Sequence, residues 1–147
     1  MIQLLLPKAL GARIEAEARA AFPRECCGLI EGIWSGETAQ ALALHPALNI
    51  ATAADRFEIE PGGHFTALKA ARGRGHDLIG CYHSHPGGVA EPSGLDLAGG
   101  GETGFLWLIA ALAGPAALLE LKGFAYLPAG FDKIGVVTGA DLVTSSP

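Results

Sequence analysis

The chain has 147 residues, half of them hydrophobic and 17% charged, with a formal net charge of -5. That length suffices for one domain to bury its own core, and an acidic chain lacks the basic surface from which nucleic-acid binding draws its affinity. No apolar run reaches the roughly 20 residues of a membrane-spanning helix, and Met1 to Leu6 lacks the basic flank and cleavage site of an export signal. Three cysteines with no Cys-x-x-Cys pair do not make a disulfide framework. The expectation is a cytoplasmic protein with reduced thiols and neither a nucleic-acid nor a membrane partner.

Leu10, Ile14, Ala18 and Ala21 or Phe22 recur at helical spacing and predict an amphipathic helix from Pro7 to Phe22, with Pro7 in its first turn and Pro23 ending it. Gly28, Leu29 and Ile30 read as a strand, Trp34 to Thr38 as a turn, Ala39 to Leu44 as a second strand, and the alternating Phe57 to Glu60 as a short one. Pro61-Gly62-Gly63 breaks the chain before a second helix, about Phe65 to Arg72, ended by Gly73 and Gly75. Lys69, Arg72 and Arg74 read as one solvated helix face. Asp77 to His85 is a strand and Pro86 to Pro92 a loop; Pro92-Ser93 followed by Leu95 and Leu97 opens a third helix that Gly99-Gly100-Gly101 cuts short. Phe105 to Leu112, Ala117 to Lys122 and Phe124 to Leu127 supply further strands, and Val143 to Pro147 a frayed tail. With no repeat or linker, residues 1–147 read as a single domain. Strands and helices alternate but several connections are hairpin-short, so the expected class is α/β with a mixed sheet flanked by helices.

The residues that carry chemistry lie between His83 and Asp96. His83 and His85, two apart on a strand, face the same side. Asp96 falls in the first turn of the helix that follows. Two imidazoles and a carboxylate suit zinc and leave a fourth tetrahedral position for water, which is a catalytic arrangement. Taken singly, a His-x-His is commonly accidental and Ser93-x-x-Asp96 commonly a helix cap. Joined in one strand-loop-helix stretch they point to a metal site, and Ser93 can cap the helix while its hydroxyl faces the metal. Cys81 shares the histidines' face and is an alternative ligand, but is more simply a small buried hydrophobe. A serine or cysteine nucleophile needs a histidine base free of metal. His45, His64 and His76 remain, and no sequence context pairs any of them with Cys26, Cys27 or Ser93.

The pattern His83-x-His85-Pro86, with seven residues between His85 and Ser93, and then Ser93-x-x-Asp96 resembles the JAMM (MPN+) metalloprotease family. Its upstream glutamate element is similar to Pro23-Arg24-Glu25-Cys26-Cys27-Gly28-Leu29-Ile30-Glu31-Gly32, and Asn49 with Phe57-Glu58-Ile59-Glu60-Pro61 resembles the bacterial members, so the likeness runs from Pro7 to about Tyr126. The resemblance implies a three-layer architecture like that of cytidine deaminases and zinc on His83, His85 and Asp96. It makes Glu25 the general acid/base and Ser93 the donor to the tetrahedral oxyanion. The implied reaction is hydrolysis of the amide or isopeptide bond after the C-terminal Gly-Gly of a ubiquitin-like or sulfur-carrier protein. Eukaryotic deubiquitinases of the family carry longer insertions, which this chain lacks, so a compact bacterial processing enzyme fits better. Two alternatives stand beside it: a non-catalytic MPN scaffold, whose members typically lack the ligands filled here, and a peptidase for cell-wall or phage-tail peptides, which usually accompanies a second hydrolase domain. The His-x-Glu and Pro-Cys-x-x-Cys elements of a nucleobase deaminase are missing.

Overall fold

The computed structural model describes residues 1–54, 56–93 and 102–139. The elements described are β1 (Gln3–Pro7), α1 (Lys8–Ala21), β2 (Cys27–Ser35), β3 (Thr38–Ala47), α2 (Pro61–Gly73), β4 (Asp77–Pro86), β5 (Leu106–Leu112), β6 (Leu119–Leu127) and β7 (Gly130–Gly139). The strands lie in the order β1-β3-β2-β4-β5-β6-β7 and the sheet closes into a barrel where β1 meets β7. β1 runs parallel to both its neighbours and β4 is parallel to β5, while the remaining pairs are antiparallel. The mixed sheet expected from the sequence is present, but it curls until its two edges pair, which removes the exposed ladders an open sheet would leave.

Two apolar clusters use the two faces of the central strands. The larger gathers Leu4, Leu6, Ile30, Ala41, Tyr82, Leu108 and Ile134 with residues of the other strands around Ile14 and Ala18 of α1. The smaller joins Leu29, Cys81, Trp107, Ile109 and Phe124 to Ala67 and Ala71 of α2. Leu29 and Ile30, or Cys81 and Tyr82, go to opposite clusters because successive strand residues face opposite ways. The pairing of β2 with β4 slips by one residue between Ile30 and Glu31, so Leu78 joins the same cluster as Cys81. Gly28 stands opposite Tyr82 in the register, and a Cβ there would collide with the phenol ring. The Tyr82 hydroxyl donates to Glu17 Oε1 at 2.7 Å, and burial followed by that carboxylate pushes its pKa upward.

Several expectations change. The Pro61-Gly62-Gly63 triplet is the first turn of α2 rather than a break before it. Glu60 caps the helix by accepting from Gly62 N at 2.9 Å and Gly63 N at 2.8 Å, and Pro61 occupies a first-turn position where no donor is needed. Ala117 to Leu127 does not split at Lys122: β6 runs through Gly123, where a Cβ would meet Val136 and Ile134 at 2.7 and 3.0 Å, so this glycine permits close packing. Phe57 to Glu60 contracts to one bridge between Asn49 and Ile59. β1 and β7, which the sequence reading left unassigned, are the pair that closes the barrel. The helix expected after Ser93 and the tail from Val143 lie outside the described residues.

Candidate metal centre

The site forms where β4 ends beside the start of β2. Cys27 stands opposite His83, and beyond that pair Ser84 N donates to Cys26 O at 3.1 Å while Cys26 N donates to Ser84 Oγ at 2.8 Å. The register carried further sets Glu25 across from His85. Alternation then gives Glu25, His83 and His85 one common face. Glu25 is 5% exposed and His83 0%, with His85 half-buried, and one donor atom from each lies within 4.8 Å of the others.

The hydrogen bonds at this point define the imidazoles. His85 Nδ1 sits 2.9 Å from the Val89 carbonyl oxygen, a contact that requires the proton on Nδ1 and leaves a lone pair on Nε2. His83 Nε2 lies 2.9 Å from His85 Nε2. The two Nε2 atoms thus converge on one point, as two ligands of one ion require. The His83 ring is held by stacking on Phe57, with centroids 4.3 Å apart and planes at 22°, and by the edge of Trp107 at 5.4 Å. Two nitrogens and a carboxylate oxygen are a donor set that fits a borderline cation such as zinc.

Of the residues singled out in the sequence, Glu25, His83 and His85 are brought together. Ser93 is exposed in irregular chain after β4, and Asp96 lies outside the described residues. Cys81 packs among Leu29, Trp107 and Ile109, as a small hydrophobe does. Burial raises the pKa of Cys26 and pushes that of Cys27 up to about 12, with the neighbouring Cys26 and Glu25 adding to the effect, so neither is a thiolate nucleophile at neutral pH.

Residues 7–121 match the model of the prokaryotic homologs of the JAB domain. The chain belongs to the JAB/JAMM family. It is 31% identical over 102 residues to the desampylase of Haloferax volcanii, an alignment spanning 69% of this chain and 72% of that protein. Its fold resembles the solution structure of a Desulfitobacterium hafniense protein, with a TM-score of 0.84 at 29% identity over 92% of each chain. A Salinibacter ruber protein solved in solution matches with a TM-score of 0.71 at 27% identity, covering 100% of this chain and 95% of that one.

This JAMM chain also carries a buried polar cluster that the sequence did not announce. Glu31, 1% exposed, accepts from Arg74 Nε at 2.9 Å and Nη2 at 2.6 Å, and meets His76 Nδ1 at 2.6 Å and His45 Nε2 at 2.8 Å. The Arg74 guanidinium holds the Glu31 carboxyl well below the usual carboxylate range, against the opposing effect of burial. Arg74 was expected on a solvated helix face with Lys69 and Arg72; it instead caps the end of α2 and reaches across to β2. Two of the three histidines left without a role in the sequence, His45 and His76, are partners of this carboxylate.

Proposed function

We propose that this JAMM chain is a zinc-dependent isopeptidase that hydrolyses the amide or isopeptide bond after the C-terminal Gly-Gly of a ubiquitin-like or sulfur-carrier protein in the cytoplasm. The observation that carries the reading is the convergence of Glu25, His83 and His85 within 4.8 Å, with the His85 tautomer set by Val89. The relative named desampylase supports an activity that removes an attached protein modifier. Among the described residues no helix is long and apolar enough to cross a membrane. The reading takes 1–147 as one domain, with α1 and α2 as outer layers on the curled sheet.

His83, His85 and Asp96 would hold the ion. A zinc ion there supplies Lewis acidity toward a water and toward the scissile carbonyl. Glu25 takes the proton from the attacking water and delivers it to the departing amine as the C–N bond breaks. Its burial beside the histidines excludes bulk water from that transfer. Ser93 donates a hydrogen bond to the carbonyl oxygen as negative charge develops on it, an interaction worth about 3 kcal/mol in hydrolases that rely on one such donor. Cys26 and Cys27 take no part, since their thiols stay protonated.

The experiment is cleavage of a ubiquitin-like protein joined through its terminal Gly-Gly to a second protein. The expected result is release after the Gly-Gly, abolished when the penultimate glycine is replaced by a bulky residue. Equal cleavage of that variant, or of short peptides with no folded ubiquitin-like body, contradicts the substrate assignment.

A further inference from the structure

The peptide linking Glu25 to Cys26 is gripped from both ends by side chains. Its N–H donates to Ser84 Oγ at 2.8 Å, and its carbonyl accepts from Asn49 Nδ2 at 2.9 Å. Asn49 comes from the segment between β3 and α2. Its Nδ2 also donates to the Arg56 carbonyl at 3.2 Å, and its Oδ1 accepts from Ala51 N and Glu58 N, both at 3.0 Å. One side-chain amide offers two donors and two acceptor sites, and here all four are used on backbone groups. No aliphatic or hydroxyl side chain at this position can repeat that pattern. Arg24 fastens the same segment by donating to the Ala51 carbonyl at 2.7 Å. Phe57, between the two residues that Asn49 holds at Arg56 and Glu58, is the ring that stacks on His83.

We propose that Asn49 is a positioning residue that fixes the Glu25–Cys26 peptide and the segment carrying Phe57 in one frame, so that the Glu25 carboxylate and the His83 imidazole keep their mutual geometry. The proposal rests on the acid/base role of Glu25 stated above. The orientation of a peptide plane sets the direction in which the side chain before it leaves the backbone, and small misplacements of a proton-transfer group are costly in rate. Asn49 reaches both sides of the site without entering it: one donor holds the Glu25 carbonyl, while the other donor and the acceptor hold Arg56 and Glu58 on either side of Phe57.

The test uses Asn49→Ala and Asn49→Asp. The aspartate keeps the acceptor for Ala51 and Glu58 but sets a carboxylate oxygen against the Glu25 and Arg56 carbonyls, so it removes the donor half alone; being isosteric, it also serves if Asn49→Ala does not fold. Amide hydrogen exchange at Cys26 should rise about tenfold or more in both variants, while amides in the middle of the β2–β4 ladder keep their protection. With a Gly-Gly-linked substrate, kcat should fall about tenfold or more with KM within about twofold. In a Glu25→Gln background the same substitutions should lower the residual rate by less than about twofold, because a residue acting through Glu25 has nothing left to position. Unchanged exchange at Cys26, or a loss of rate equally large with and without Glu25, overturns the proposal. If the wild type cleaves no Gly-Gly-linked substrate, the functional reading falls, and exchange at Cys26 alone upholds or overturns the grip of Asn49 on the peptide.

Discussion

Two buried glutamates, Glu25 just ahead of β2 and Glu31 at its middle, each lie beside two histidines, and their surroundings differ. Glu31 has its carboxylate oxygens saturated by a bidentate guanidinium and two imidazoles, so its charge is neutralised and every ring is turned toward it. Glu25 faces histidines whose Nε2 atoms point at each other, with the orientation of His85 set from behind by Val89. The difference is the arginine. A carboxylate with a guanidinium in place is a structural lock, whereas one beside two converging imidazole nitrogens has the setting proposed above for a proton carrier next to a cation. Burial and histidine neighbours are common to both glutamates; the direction of the imidazole nitrogens is what separates them.

The sharpest way to break the comparison is to neutralise each carboxylate in turn. Glu25→Gln should lower turnover by about 100-fold to 10,000-fold, the usual worth of a positioned acid/base, with no loss in unfolding midpoint. Glu31→Gln should leave turnover within about twofold and move the cost to stability. Steady-state rates and urea unfolding on the two variants settle the pair, and a large rate loss in Glu31→Gln contradicts the separation.

The stability cost of Glu31→Gln should be about 2 kcal/mol, less than the roughly 3–5 kcal/mol for breaking a fully buried pair, because Arg74 is half-exposed and rehydrates. Its pH dependence has a definite sign. The folded-state pKa of Glu31 is depressed, so the stabilisation is complete above the ordinary carboxylate range and is lost as pH falls through the lowered value. Unfolding free energies followed down from neutral pH should show wild type losing its advantage over Glu31→Gln in acid; a constant gap between them contradicts the lock.

The smallest effect concerns independence. Glu25 and Glu31 are six positions apart, about 20 Å along an extended strand, and share no hydrogen-bond partner among those described. The stability changes of the double variant should add to within about 0.5 kcal/mol. Larger coupling, measured by the same urea titrations, would mean that β2 transmits strain between the sites.

The grouping of Glu25, His83 and His85 was legible because it depends on local rules. Strand alternation alone aligns His83 with His85, and the spacing of the Glu25 element carried its resemblance. Helix α1 was readable from its apolar spacing, with prolines at both ends. What escaped the sequence depends on long-range pairing. Nothing near Glu31 marks it as the partner of Arg74, since the contact exists only when the end of α2 returns beside β2. The roles of Asn49 and Ser84 are hydrogen bonds to backbone that is remote in sequence, and polar residues of that kind are common in loops and strands. β1 and β7 were missed because a short leading apolar run and a glycine-containing strand become strands only through each other when the barrel closes. Gly123 and the Pro61-Gly62-Gly63 triplet were taken for breaks, although one serves close packing and the other a capped helix start.

The central claim, that two histidines and their partners hold one zinc ion served by Glu25, is tested most directly by the metal content of purified protein. The account predicts one zinc per chain in wild type, the same in Glu25→Gln and Glu31→Gln, and none in His83→Ala/His85→Ala. A wild type that cannot be loaded with zinc, or full occupancy in the double histidine variant, would contradict it; loss of zinc in Glu25→Gln alone would make the glutamate a ligand in place of the proton carrier.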